Sequence, residues 1–184
     1  QLPGIIARDR SFRWVISTRV LVGFVGIASA FYVLNATQNA GLSIEASGYF
    51  VSAQVTGSLL GGLLTTVVQD RWGPLVHIRT TITISAIAPL VALVCQPFLA
   101  TLGPAVLYPY LVVYLALGIY MGSISWPFFN WILEYAEEPK RPLYIGMANT
   151  FGAVTMVTPA LGGWVARDVS YTAVFALALT FALA

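Results

Sequence analysis

Few side chains in this sequence can carry charge or attack a bond, so their positions are informative. Asp70 and Arg71 stand together in TTVVQDRWGP, residues 65 to 74, between two long apolar runs. An acid beside a base at such a place can accept from a helix N-terminus, pair with a cation, or simply be solvated in a turn. Gly73 permits a backbone shape closed to other residues, and Pro74 suits the first turn of a following helix. Arg19 is the one base well inside an apolar run. Intramembrane charge is by default functional, but Arg19 lies only about one and a half turns from Trp14, close enough to snorkel to a surface as a structural residue. Glu134 follows Asn130 by four residues on one helix face, as a proton carrier or a solvated helix end would. Ser123, in GSIS, is a serine in search of a base; the single histidine, His77, follows the DRWGP turn and reads as a solvated loop residue. A serine–histidine pair is therefore poorly supported. Cys95, in LVALVCQP, reads as a small buried hydrophobe. No Cys/His/Asp cluster suggests a metal, GSLLGG is a packing pattern rather than a phosphate loop, and no cofactor is expected.

These residues are embedded in an unusually apolar chain. It is 58% hydrophobic and 9% charged, with a mean hydropathy of +0.82. Soluble domains carry about 25% charged residues and could not hide so much apolar surface. A net charge of +2 gives no general attraction to nucleic acid. The composition predicts an all-α integral membrane protein, because helices satisfy their own backbone in lipid and the period-two pattern of a barrel is absent. The chain starts QLPGIIARDR without Met and ends FALALTFALA inside an apolar run, and so reads as a piece of a longer one.

With the charges taken as punctuation, and about 20 apolar residues needed per crossing, the charge-free runs predict a six-transmembrane-helix bundle. The spans fall at about 14–36, 47–69, 75–96, 106–133, 143–166 and 170–184, with QPFLATLGP breaking the longest run. Arg8, Arg10, Arg13, Arg71, Arg79, Lys140 and Arg141 then share one side and Arg167 the other. That bias places the first side, and both chain ends, in the cytoplasm, with the protein multi-pass in the plasma (inner) membrane.

TVVQDRWG, residues 66 to 73, resembles the Gly-x-Leu-x-Asp-Arg-x-Gly signature of the major facilitator superfamily, which joins the second and third helices of a six-helix half. Asp70, Arg71 and Gly73 match. Thr66, Val68, Pro74 and Leu75 replace the leading Gly, the Leu and the trailing basic residues, which weakens any charge network there. Residues 141 to 175 resemble the fifth helix of such a half, ending at Pro159, Gly162 and Gly163; Val154 and Thr158 stand where the antiporter motif has glycines, so that motif is not claimed. The resemblance covers essentially all 184 residues and implies one facilitator-type half, helices seven to twelve, whose other half is the missing N-terminal part of the same chain.

It further implies secondary active transport of a small solute by alternating access, coupled to an ion gradient, with no enzymatic activity. The first and fourth helices of a half line the cavity. Tyr32 and Asn35 on the first and Tyr114, Tyr120, Trp126 and Asn130 on the fourth are then the solute-pathway candidates, Asp70, Arg71 and Gly73 the gating turn. Tyr and Trp also anchor at the membrane interface, so the aromatic candidates have a structural alternative. Pro127 would hinge or merely kink the fourth helix. Gly57 and Gly61 on the second helix, and Pro159, Gly162 and Gly163 on the fifth, would make those helices the tightly packed ones. The partners expected are the solute and the lipid bilayer, with no nucleic acid. The competing classes are a rhomboid-like intramembrane protease and a non-transporting membrane scaffold.

Overall fold

The computed structural model describes residues 9–184, so Arg8 of the basic set lies outside the described residues. Every regular element among them is helical. Helix α1 (Arg10–Phe24) starts where Asp9 caps it, the carboxylate accepting from the Phe12 N–H at 2.9 Å. A 3₁₀ turn (Val25–Ala28) leads into α2 (Phe31–Gln38). Helix α3 (Ala46–Ser85) is bent at Gly73, whose φ of 79° and ψ of 176° break the helical path. A positive φ is cheap only for glycine, and Pro74 then restarts the helix.

Next come α4 (Ile87–Cys95), a short turn α5 (Leu99–Leu102), α6 (Leu107–Ser123) and α7 (Ser125–Tyr135). Ile124 separates the last two. Pro127 cannot donate to the Ser123 carbonyl four residues back, which loosens the ladder where α6 gives way to α7. After the EPK turn follow α8 (Arg141–Ala153), α9 (Thr158–Asp168) and α10 (Tyr171–Leu183), the last capped by Ser170.

The six-span bundle is not what the structure contains. Two helical stretches are long and apolar enough to cross a membrane: Arg10–Gln38, and Ala46–Tyr135, which spans 90 residues. Three of the predicted spans, 47–69, 75–96 and 106–133, run together in that second stretch. Asp70 and Arg71 lie on the helix rather than in a loop, because the glycine after Trp72, and not the charge, makes the bend. The predicted span 143–166 is divided by a 3₁₀ turn, Val154–Val157. Pro159 has no N–H for the Thr155 carbonyl, so the ladder tightens just before it. The last predicted span is a 13-residue helix, Tyr171–Leu183. The helical class stands; the count of crossings does not.

Two apolar cores organise the chain. One is aromatic: Tyr32 stacks on Phe175 at 5.0 Å between centroids, and Phe50 on Tyr114 at 4.7 Å. The other gathers Phe12, Ile16, Ile78, Phe128, Trp131 and Tyr144. Between them, α3 before its bend lies along α6. Gly57 faces the Leu115 carbonyl and Gly61 that of Ile119; in return Gly118 faces the Gln54 carbonyl and Gly122 that of Ser58. The paired positions increase together, so the two helices run parallel, the limb after Gly73 providing the return. A methyl group at any of the four would sit inside a backbone carbonyl. This is small-residue packing from both sides. Gly62 meets open space, while Gly162 fits against the Ile27 carbonyl and Phe31, and Gly163 has only a distant neighbour in Phe31.

Candidate functional site

Arg19 opens the most distinctive site. It projects from α1 into a groove of about 400 Å³ walled by α7, α8 and the turn after α8. Its Nη2 donates to Asn149 Oδ1 at 3.3 Å, and its guanidinium stands 6.0 Å from the centre of the Phe128 ring. Gly152 leaves the space it occupies, since a Cβ there would come within 3.4 Å of Arg19 Nε. On the other side Gly23 allows Thr155 to approach α1, where a Cβ would clash at 2.5 Å. Among the described residues the ion pairs are Lys140–Glu137 and Arg167–Asp168, both exposed, and neither involves Arg19. The guanidinium is thus half withdrawn from water, held by one amide and one ring face, and unmatched by a carboxylate. Such an arrangement holds an anion well, because charge-assisted bonds to a planar acid outlast those to water.

The sequence-predicted pathway residues fall in different places. Tyr32, Asn35 and Tyr114 come together in the aromatic core, all buried. Asn35 hydrogen-bonds to the Tyr110 hydroxyl through its amide nitrogen, and its oxygen accepts from Asn39 Nδ2 at 2.7 Å. Tyr120 is also buried and donates to the Val22 carbonyl at 3.0 Å, with its ring edging the Arg19 groove. Tyr32 and Tyr120 share a cavity of about 20 Å³ with Ser29 and Ser85, room for about one water. Trp126 points outward, 58% exposed, and Asn130 is half-buried on the next turn. Asp70 and Arg71 are exposed, and among the described residues neither enters an ion pair.

His77 corrects the sequence reading outright. It is fully buried on α3, not solvated in a loop. Its Nδ1 lies 3.1 Å from Gln69 Oε1 and its Nε2 2.6 Å from Ser123 Oγ, which is 2.9 Å from Thr81 Oγ1. With Gln69 accepting from Nδ1–H, Nε2 is free to accept the Ser123 proton, so the serine–histidine pair does form. Both residues are 0% exposed. The network bridges the bend of α3 to the end of α6. The bend that brings Gln69 and His77 together is the signal that periodicity along a straight helix conceals.

Asp9 forms a second junction that the charge count passed over. Besides capping α1, it accepts from the Tyr135 hydroxyl at 2.7 Å and the Tyr144 hydroxyl at 2.9 Å. Burial alone would raise its pKa; the bonds from the Phe12 and Ser11 N–H groups and the two hydroxyls outweigh this and hold it below the usual carboxylate range. Burial, then the bond to Asp9 and the nearby carboxylates, pushes the Tyr144 hydroxyl up to about 12. The entrances of α1 and α8 and the exit of α7 are thereby tied at one carboxylate.

No family model, curated protein or solved structure matches this chain. The likeness of TVVQDRWG to the facilitator signature accordingly rests on Asp70, Arg71 and Gly73.

Proposed function

We propose that the protein is a secondary carrier that moves a small solute across a membrane, drawing on an ion gradient. The observation that carries this reading is the Arg19 groove: an unmatched guanidinium lining an open, mostly apolar cleft on a stretch apolar enough to cross a bilayer. A charge so placed costs free energy, and solute pathways are where such charges are kept. The outward ridge of α3, Val51, Val55, Leu59 and Leu63, is 56 to 69% exposed and suits lipid contact. The 3₁₀ turns at Val25–Ala28 and Val154–Val157 interrupt the helices beside the groove, where an opening motion needs flexible points. Asp70, Arg71 and the bend at Gly73 support the same reading through their facilitator-like pattern. In this reading the basic residues around Arg71, Arg79 and Arg141 face the cytoplasm across an inner membrane.

Flux into liposomes holding the full-length protein tests the proposal. Gradient-dependent uptake that falls on Arg19→Gln supports it; uptake that ignores the gradient and the substitution refutes it. Labelling of a cysteine placed beside Arg79 from outside intact cells would reverse the orientation.

The 2.6 Å contact between His77 Nε2 and Ser123 Oγ favours one second reading, an intramembrane serine hydrolase. A fluorophosphonate probe decides it. Labelling lost on Ser123→Ala would establish the hydrolase; no labelling is expected.

A further inference from the structure

We infer that the solute of the Arg19 groove is a small organic monocarboxylate, its acid head on Arg19 and its apolar body along Phe128 and Met156. The inference rests on the carrier reading for what the bound molecule does, but not for its binding.

The chemistry follows from donors. A guanidinium has five N–H groups, and the Arg19–Asn149 contact engages one of them. The remaining fork matches the two oxygens of a carboxylate, which it can grip side by side. With Asn149 Oδ1 accepting from Arg19, the Asn149 amide nitrogen is left as a donor on the same wall, and the Ser125 hydroxyl supplies another. All three present hydrogen to the ligand, and no carboxylate of the chain competes within ion-pair reach. A cationic solute would face Arg19 with no acid to balance it.

The charge of the ligand is set by the same count. One guanidinium neutralises one negative charge. A dianion would retain a charge inside an apolar cleft, at a desolvation cost nothing in the groove offsets. Beyond the polar wall, Phe128, Ile124, Ala153 and Met156 supply apolar surface beside Tyr120 and Thr155, which rewards an apolar body. Gly152 lies against the guanidinium, where a Cβ would stand in ordinary contact, 3.4 Å from Nε. An anionic lipid head group offers a related charge, and phosphatidylglycerol is therefore included among the competitors below.

Equilibrium binding of radiolabelled benzoate to the full-length protein in neutral detergent tests the inference, with benzyl alcohol and benzylamine as competitors of the same shape. Saturable benzoate binding is expected, with neither competitor displacing it. Arg19→Gln should weaken it at least about tenfold and Arg19→Lys by less, the loss expected for a charged hydrogen-bonded contact. Equal displacement by benzyl alcohol, stronger binding of benzylamine, or displacement only by phosphatidylglycerol would overturn the inference using the unaltered protein alone, so a variant that fails to fold cannot hide the answer. Benzoate binding without flux in liposomes would remove the carrier reading and leave the site. Gradient-driven flux of a neutral or cationic solute, untouched by Arg19→Gln, would do the opposite.

Discussion

The seam between α3 and α6 and the groove beside Arg19 are built from the same small residue and put it to opposite use. In the seam, Gly57, Gly61, Gly118 and Gly122 bring two backbones together until nothing fits between them. In the groove, Gly152 leaves a space that a charged side chain fills only partly. The difference lies in what stands opposite. A backbone carbonyl cannot retreat, so glycine there is a steric requirement. The end of a flexible arginine can move, so glycine there sets the shape of a cavity. One region is made to stay shut, the other to admit a guest.

The sharpest way to break this contrast is to enlarge one glycine in the seam and one on α3 that faces away from it. Gly118→Leu should destabilise by about 3 kcal/mol or more, beyond ordinary overpacking, because its neighbour is main chain. Gly62→Leu, which meets open space, should be nearly silent in the same thermal unfolding series. If the two behave alike, the seam is not close-packed. Next in size is His77→Ala, which strands the Ser123 and Gln69 partners; roughly 1–3 kcal/mol should be lost, measured by the same melting experiment.

Asp9→Asn keeps an N-cap acceptor but removes the charge that two tyrosine hydroxyls and the start of α1 share, and should cost about 1 kcal/mol. The sign of its pH dependence is fixed by its lowered pKa. The stabilisation from Asp9 is full above its unfolded value and disappears as pH falls through the still lower folded value. Acid titration of stability should therefore be shallower in Asp9→Asn than in the unaltered protein. The smallest effect is expected at the exposed turn: Asp70→Asn and Arg71→Ala should each shift stability by less than about 0.5 kcal/mol. Any larger consequence should show in solute flux alone.

Much of this was open to reading from the residues. The helical class follows from composition, and the bend at residue 73 from a glycine followed by proline. Gly57 and Gly61 announced one face of the seam, and Gly118 and Gly122 carry the same four-residue spacing on the other. Counting crossings failed for a definite reason. Charge marks where a chain can meet water, but Asp70 and Arg71 are carried on an unbroken helical turn, and Pro159 divides a stretch that hydropathy treats as uniform. His77 eluded the sequence because its partners Gln69 and Ser123 are brought near by a bend and by a distant helix. Arg19 was visible as an oddity, but its groove is assembled from α7 and α8, far along the chain. Asp9 was hidden among the basic residues around it.

The parallel course of α3 and α6 bears on how the molecule is made. Ser58 reaches the Gly118 carbonyl across 60 residues of chain, and parallel neighbours cannot be joined by a short hairpin. Closing so long a loop carries an entropic cost before any glycine contact repays it. During synthesis the first glycine face must therefore wait, exposed, until the ribosome has delivered its mate, and a chain halted before residue 107 would offer that bare face to whatever helix passes next.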